Sequence, residues 1–179
     1  MIEIKEITKT FGERVLFKRY SQTIETGEFV IFMGPSGCGK TTLLNMVGAI
    51  EPIDSGSILV DGVDITIPKN ELEYFRRKVG FLFQNFALVE NKTVRENLKM
   101  VKPAYKSGIT MEEALVSLGI ADKMNSKVYS LSGGEQQRVA LARLIIKQCG
   151  IILADEPTGS LDRRNAGVVM EKLTDLNRR

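Results

Sequence analysis

Gly34, Pro35, Ser36, Gly37, Cys38, Gly39, Lys40 and Thr41 follow one another in an order suited to holding phosphate. Glycines let successive backbone amides turn inward and reach phosphate oxygens without side-chain obstruction. The run follows an apolar stretch at residues 29–33 and opens into Thr41, Thr42, Leu43 and Leu44, the start of a helical pattern. A helix start adds unpaired amides and the positive end of its dipole. In such a loop Lys40 neutralises the outer phosphates and the Thr41 hydroxyl ligates Mg²⁺. A plain Gly-rich turn between strand and helix is the alternative. With the strand, the helix, Lys40 and Thr41 all in place, a nucleotide-phosphate site is the better reading.

Asp155 and Glu156 end a second apolar run, residues 151–154, and Pro157 and Gly159 then break it. A carboxylate at the tip of a buried strand can reach a magnesium ion held by a phosphate loop. Asp155 is assigned to the metal and Glu156 to orienting and deprotonating the attacking water. A third cluster, Leu131, Ser132, Gly133, Gly134 and Glu135, precedes an apolar helical stretch. Ser132 and Glu135 have capping-box spacing. Capping leaves Gly133 and Gly134 unexplained, and each glycine near a helix costs up to ~1 kcal/mol relative to alanine. A helix start with bare glycine amides is a second place for an anion.

The elements that must position these residues are legible from patterning. Strand-like segments cover residues 2–8, 15–25 and 28–33, with a turn at Thr26 and Gly27. Asp54, Ser55 and Gly56, then Asp61 and Gly62, punctuate a further β region. Residues 79–83 form a short apolar strand. Thr93 with Glu96, and Thr110 with Glu113, have capping-box spacing, and Gly119 is a stop, so residues 89–148 are expected to be mostly helical. A last helix is expected over 164–177.

At 179 residues the chain is one domain's worth of core. Its 25 Lys and Arg against 22 Asp and Glu give a formal charge of +3, with no basic stripe interleaved with aromatics, so nucleic acid is not an expected partner. The absence of histidine excludes His-based catalysis. No apolar run approaches the ~18 residues of a membrane span, so any work at a membrane is expected to pass through a partner. Cys38 and Cys149 form no framework or metal spacing; both are expected reduced, in a cytoplasmic protein.

Taken together, these motifs resemble those of the ABC (ATP-binding cassette) ATPases. The cluster from Leu131 to Gln136 looks like the signature that separates this family from other phosphate-loop proteins. The run from Gly34 to Thr41 is similar to its Walker A motif, and residues 151–156 to its Walker B motif with catalytic glutamate. Gln84 falls where the family has the glutamine that ligates the metal and couples to the membrane domain. Ser160, Leu161 and Asp162 look like the D-loop. Phe11 matches the aromatic that stacks on adenine, and by residue type it fits a core aromatic at a strand end equally well. The resemblance implies an α/β fold: a P-loop NTPase (RecA-like) core with an antiparallel β subdomain and an inserted α-helical subdomain. Residues 1–87 and 149–179 would form the nucleotide-binding core and 88–148 the helical part.

The resemblance further implies ATP and Mg²⁺ as ligands, with Lys40, Gln84 and Glu156 in the catalytic role and Thr41, Gln84 and Asp155 around the metal. It implies a homodimer with ATP at the interface, in which Ser132, Gly133 and Gly134 of one subunit complete the site built by Gly34 through Thr42 of the other. Transmembrane permease subunits would hold the protein on the inner face of the cell membrane. Residues 157–162 and 84–89 are similar to a bacterial subgroup serving macrolide export and lipoprotein release. The family continues past the last helix into a strand that ends in a histidine, and this chain stops at Arg179. The expectation is a C-terminally shortened chain with an open seam in its sheet, which binds ATP and hydrolyses it poorly. Two alternatives stand beside the transport ATPase: a non-transport ABC ATPase, and a nucleotide-sensing module without efficient turnover.

Overall fold

The structure, a computed structural model, describes residues 1–159, 161 and 163–178, and the side chains of all these except 163 and 164. It divides into two compact units, Met1–Arg76 and Arg77–Arg179.

In the first unit, β1 (Ile2–Phe11), β2 (Arg14–Ile24), β3 (Ser55–Val60) and β4 (Val63–Asp64) form an antiparallel sheet in the order β2-β1-β3-β4. The inward face of β1 carries Ile2 and Ile4, then slips one place to Ile7, and all three are buried. A bulge accounts for the slip: Glu6 has φ 47, and the register with β2 shifts between Ile4 and Ile7. Gly56 lies against this bulge, where a Cβ would come within 2.5 Å of the Lys5 carbonyl, so only glycine fits. Asp61 and Gly62, both at positive φ, turn β3 into β4 as a tight hairpin. Helix α1 (Lys40–Val47) buries Leu43, Met46 and Val47. Helix α2 (Pro68–Arg77), where the sequence pattern gave no element, buries Tyr74, whose hydroxyl donates to the Val47 carbonyl at 2.7 Å.

The expected strand over residues 28–33 is not formed. Among the described residues no strand pairs with it, and Phe29, Val30, Ile31 and Met33 are exposed, Met33 to 89%. A strand exists only through its ladder partner. Apolar composition alone does not make one.

The second unit pairs β5 (Val79–Leu82) with β6 (Ile151–Ala154) in parallel, Val79 opposite Ile151 and Leu82 opposite Ala154. Around this pair lie α3 (Val94–Leu98), α4 (Met111–Ser117), α5 (Gly133–Ile146) and α6 (Arg163–Asn177). All three expected capping boxes are present: Thr93 with Glu96, Thr110 with Glu113, and Ser132 with Glu135. Gly119, at φ 66, follows the end of α4. The core gathers Leu82 from β5, Leu98 from α3, Leu115 from α4, Leu141 and Ile146 from α5, and Leu173 from α6. Each such side chain contributes about 1.5–3 kcal/mol by leaving water. Helix α5 buries eight of its residues, enough to hold it in place despite two glycines at its start.

Candidate nucleotide and catalytic site

The phosphate loop lies wholly in the first unit. Gly37 and Gly39 have φ of 76 and 104, conformations that a side chain would strain. Gly39 forms the N-cap of α1 with no side-chain cap, so the helix presents its first amides towards the loop. A Cβ at Gly34 would come within 2.8 Å of Cys38 Sγ, and one at Gly39 within 3.0 Å of Leu16 and Phe17. The Lys40 ammonium donates to the Gly34 carbonyl at 2.8 Å and the Pro35 carbonyl at 3.0 Å, which sets its charge across the loop. Pro35, Ser36, Cys38 and Thr41 are exposed and Thr42 is half-buried.

Two further features of this loop come from the β1–β2 hairpin. Arg14 donates to the Gly37 carbonyl at 2.6 Å, a contact the sequence pattern did not reveal because it joins positions 23 apart. Phe11 pairs with Arg14 at the hairpin end and is 50% exposed, with the Lys9 ammonium 4.9 Å from its ring centre. The core-aromatic alternative is thereby removed, and an open ring face remains.

The loop after β5, with Gln84, and the turn after β6, with Asp155 and Glu156, lie in the second unit. The Asp155 amide donates to the Leu82 carbonyl at 3.0 Å, extending the β5–β6 ladder by one bond, and the chain then turns at Glu156. Glu156 has φ 47, a left-handed conformation that costs a non-glycine residue roughly 1–2 kcal/mol. Such strain persists where surrounding contacts over-determine it. Gln84 Nε2 donates to Glu156 Oε2 at 3.0 Å, and the Gly159 amide donates to the Glu156 carbonyl at 3.1 Å. The Gln84–Glu156 bond uses the nitrogen of the Gln84 amide, so the Gln84 Oε1 takes no part in it. Amide and carboxylate oxygens such as those of Gln84 and Asp155 are of the hard kind that suits Mg²⁺. Ser160 and Asp162 of the expected D-loop lie outside the described residues.

The Ser132 cluster opens α5. Ser132 Oγ accepts from the Glu135 amide at 3.3 Å, while Glu135 Oε2 accepts from the Ser132 amide at 2.8 Å. The Ser132 backbone bond is the largest influence; burial opposes it, and the Ser132 hydroxyl and Lys123 add to it, so that the Glu135 carboxyl is held below its ordinary value. Gly133 is exposed, and a Cβ there would meet nothing within 4 Å. No internal packing explains that glycine.

Sequence reasoning missed two residues further along α5. Gln137, 3% exposed, donates to the Pro157 carbonyl. Arg143 donates to the Ala87 carbonyl at 2.6 Å and the Phe86 carbonyl at 3.0 Å, and burial lowers its pKa. Phe86 and Ala87 both have positive φ. Helix α5 therefore touches the loop after Gln84 and the loop after Glu156. No local spacing could have announced contacts between positions 20 and 56 apart.

A family model described as ABC transporter matches residues 17–159, most of the chain. The chain belongs to the ABC transporter family. Among curated members of the ABC transporter family, the ATP-binding protein YxdL of Bacillus subtilis is 44% identical over 188 residues, spanning 99% of this chain and 73% of its own length. The lipoprotein-releasing system ATP-binding protein LolD of Bacteroides thetaiotaomicron is 40% identical over 188 residues, spanning 100% of this chain and 85% of its own. The dimeric post-hydrolysis structure of the ATP-binding cassette MJ0796 bound to ADP and Pi superposes with a TM-score of 0.85 at 34% identity, covering 99% of this chain and 83% of the other. The fold is thus that of the ABC ATPase cassettes, with the P-loop NTPase architecture and the antiparallel sheet expected from sequence. This ABC chain is an ATP-binding, ATP-hydrolysing transporter subunit, which the non-transport and purely sensory alternatives do not match. Among its described residues no helix is long and apolar enough to cross a membrane.

Proposed function

We propose that two copies of this chain close on Mg-ATP, each supplying a phosphate loop to one nucleotide and the start of α5 to the other. The observation that carries this reading is Gly133. It is exposed at a helix start, the packing gives no reason for it, and its backbone is open to an incoming anion. The dimeric neighbour with ADP and Pi supports it. In the same reading residues 88–148 act as the helical part of one ABC domain, and 1–87 with 149–179 as its nucleotide-binding core.

The residues then divide the work. Phe11 offers a π face to adenine. Gly34, Ser36, Gly37, Cys38 and Gly39 present backbone amides to the phosphates, Pro35, which has no N–H, shapes the loop between them, Thr42 follows at the helix start, and Lys40 balances the charge of the outer phosphates. Thr41, Gln84 and Asp155 would hold Mg²⁺, which when bound would supply charge neutralisation at the phosphates. Glu156 orients the attacking water and takes its proton. Ser132, Gly133 and Gly134 cap the γ-phosphate of the partner's nucleotide.

Closure and reopening would move transmembrane permease subunits, through which this chain meets the inner face of the membrane from the cytoplasm. An export-type cycle is favoured by residues 84–89 and 157–162 and by the likeness to a lipoprotein-releasing ATPase. The test is the mass of the Glu156→Gln chain by light scattering, with and without Mg-ATP. A shift from monomer to dimer on Mg-ATP supports the reading, and a monomer at saturating Mg-ATP overturns it.

A further inference from the structure

Gln137 is the strangest buried group in the second unit. Its side chain is 3% exposed; its Nε2 donates to the Pro157 carbonyl, yet its Oε1 is fully buried with no hydrogen-bond partner among the described residues. A buried acceptor left unpaired costs about 1–3 kcal/mol. An apolar side chain of the same length would avoid that cost, so stability alone does not account for an amide here. Unsatisfied groups of this sort concentrate where function overrides packing.

The position of its working end gives the reason. Pro157 follows Glu156 directly, and Glu156 holds a left-handed backbone at φ 47. The Glu156 side chain is tethered from one direction by Gln84 at 3.0 Å. Its backbone is tethered from the other by Gln137 through the next carbonyl in the chain. Six residues after Ser132, Arg138 donates to Asn165 of α6, which fixes the same stretch of α5 against the element that follows the catalytic loop. Gln137 is therefore the link between the helix opened by Ser132, Gly133 and Gly134 and the turn that aims Glu156.

We propose that Gln137 is a positioning residue for hydrolysis: by holding the Pro157 carbonyl it fixes the strained turn that points the Glu156 carboxylate at the attacking water. This rests on the reading of Glu156 as the general base. Gln137 is buried and holds the Pro157 carbonyl, outside the residues assigned to the nucleotide, so its effect falls on the chemical step and not on the affinity for ATP.

The test compares Gln137→Met, Gln137→Glu and Glu156→Gln with the parent in the full chain, reading kcat, KM, the dissociation constant for Mg-ATP and the melting temperature. Gln137→Met keeps the volume, removes the donor and removes the orphaned acceptor. Its kcat is expected to fall on the order of tenfold to a hundredfold. Its KM, ATP affinity and melting temperature are expected to stay at parental values. Gln137→Glu, which sets a carboxyl against the Pro157 carbonyl, is expected to lose at least as much in kcat. Gln137→Met with parental kcat beside an inactive Glu156→Gln overturns this inference and spares the base assignment. Parental turnover by Glu156→Gln overturns the base assignment and the inference with it. A lowered melting temperature, with kcat falling only in step with the folded fraction, shows a packing role and also overturns it.

Discussion

Gln84 and Glu156, 72 positions apart, meet in a hydrogen bond of 3.0 Å between the amide nitrogen of one and a carboxylate oxygen of the other. The bond ties the loop after β5 to the turn after β6, strands that are themselves parallel neighbours. In the proposed mechanism the other Glu156 oxygen takes the proton of the attacking water. Glu156→Gln keeps the shape and loses the base, so turnover is expected to fall about 10²–10⁴-fold while Mg-ATP still binds. Gln84→Ala is expected to lower kcat too, by releasing the carboxylate and removing the ligand proposed for Mg²⁺. Steady-state ATPase assays with parallel ATP titrations check both. Turnover by Glu156→Gln at the parental rate would remove Glu156 from the mechanism.

Lys40 spans its own loop, with Nζ at 2.8 Å from the Gly34 carbonyl and 3.0 Å from that of Pro35. Its partners here are exposed backbone oxygens that water can serve equally well, so Lys40→Ala is expected to leave the melting temperature nearly unchanged. Against a phosphate the same ammonium makes charge-assisted bonds, each contributing about 1.5–3 kcal/mol. The dissociation constant for Mg-ATP is therefore expected to rise about tenfold to a hundredfold. Calorimetric titration reads the affinity and a thermal melt reads the fold. A large drop in melting temperature with unchanged affinity would reverse the assignment.

The two cysteines offer a chemical readout of the same loop. Cys38 is exposed among the loop residues, while Cys149 packs beside Gly80, where burial pushes its thiol pKa up despite the opposing charge of Lys147. Thiolate is the reacting species, so a raised pKa and a covered sulfur both slow alkylation. Iodoacetamide at mildly alkaline pH is expected to label Cys38 well before Cys149. Mg-ATP is expected to slow Cys38 and leave Cys149 alone. Peptide mass spectrometry over a time course distinguishes the sites, and a Cys38 rate indifferent to saturating Mg-ATP would contradict the loop's role.

What the sequence disclosed, and what it withheld, follows from the range of the forces involved. The capping boxes at Thr93, Thr110 and Ser132 involve groups three residues apart, so spacing specifies them fully. The phosphate loop is likewise local, since Gly37 and Gly39 act through their own backbone and the Lys40 ammonium reaches carbonyls only five and six residues back. Residues 28–33 were misread because a strand depends on a partner elsewhere in the chain, and none of the described strands pairs with this one. Helix α2 was missed because its polar face outweighs its few apolar residues, of which only Tyr74 is buried. Arg14, Gln137 and Arg143 were invisible for the opposite reason: their partners are carbonyls, present at every residue and marked by none.

Arg143 follows from that last point. It holds the carbonyls of Phe86 and Ala87, two consecutive residues at positive φ just beyond Gln84. Lysine in its place offers one ammonium where the guanidinium offers a fork. Arg143→Lys is expected to keep the fold and to lower kcat more than it weakens ATP binding, because the loop carrying Gln84 loses one of two anchors. Hydrogen exchange at residues 84–89 should rise in the variant. Unchanged exchange there would show that the carbonyl contacts do not hold the loop.

The start of α5 responds to pH in a direction fixed by Glu135. The Ser132 amide, donating to its carboxylate, is the largest influence holding its pKa below the ordinary glutamate value. A depressed folded-state pKa gives stability that is present above the unfolded-state value and is lost as the pH falls through the folded one. The cap is therefore expected to persist at neutral pH and to loosen only in acid, below the usual titration of glutamate. Ser132→Ala removes the hydroxyl and keeps the backbone amide, so the Glu135 midpoint should move only part of the way back. An NMR titration of the Glu135 carboxyl in both chains reads the two midpoints, and a parental midpoint at or above the ordinary value would contradict the capping geometry.

Gly133 separates stability from function most cleanly. Its φ is not in the left-handed region, and a Cβ there would meet nothing within 4 Å. Gly133→Ala is therefore expected to be neutral or stabilising, by up to about 1 kcal/mol, through the reduced freedom of the unfolded chain. If the same backbone receives the γ-phosphate of a nucleotide bound to a second subunit, a methyl group there obstructs the approach. ATP-driven dimerisation and turnover should then fall while binding of Mg-ATP to the single subunit stays unchanged. The three measurements are a thermal melt, light scattering with Mg-ATP and a nucleotide titration. A Gly133→Ala chain that dimerises and turns over like its parent would leave the exposed glycine without a function at the interface.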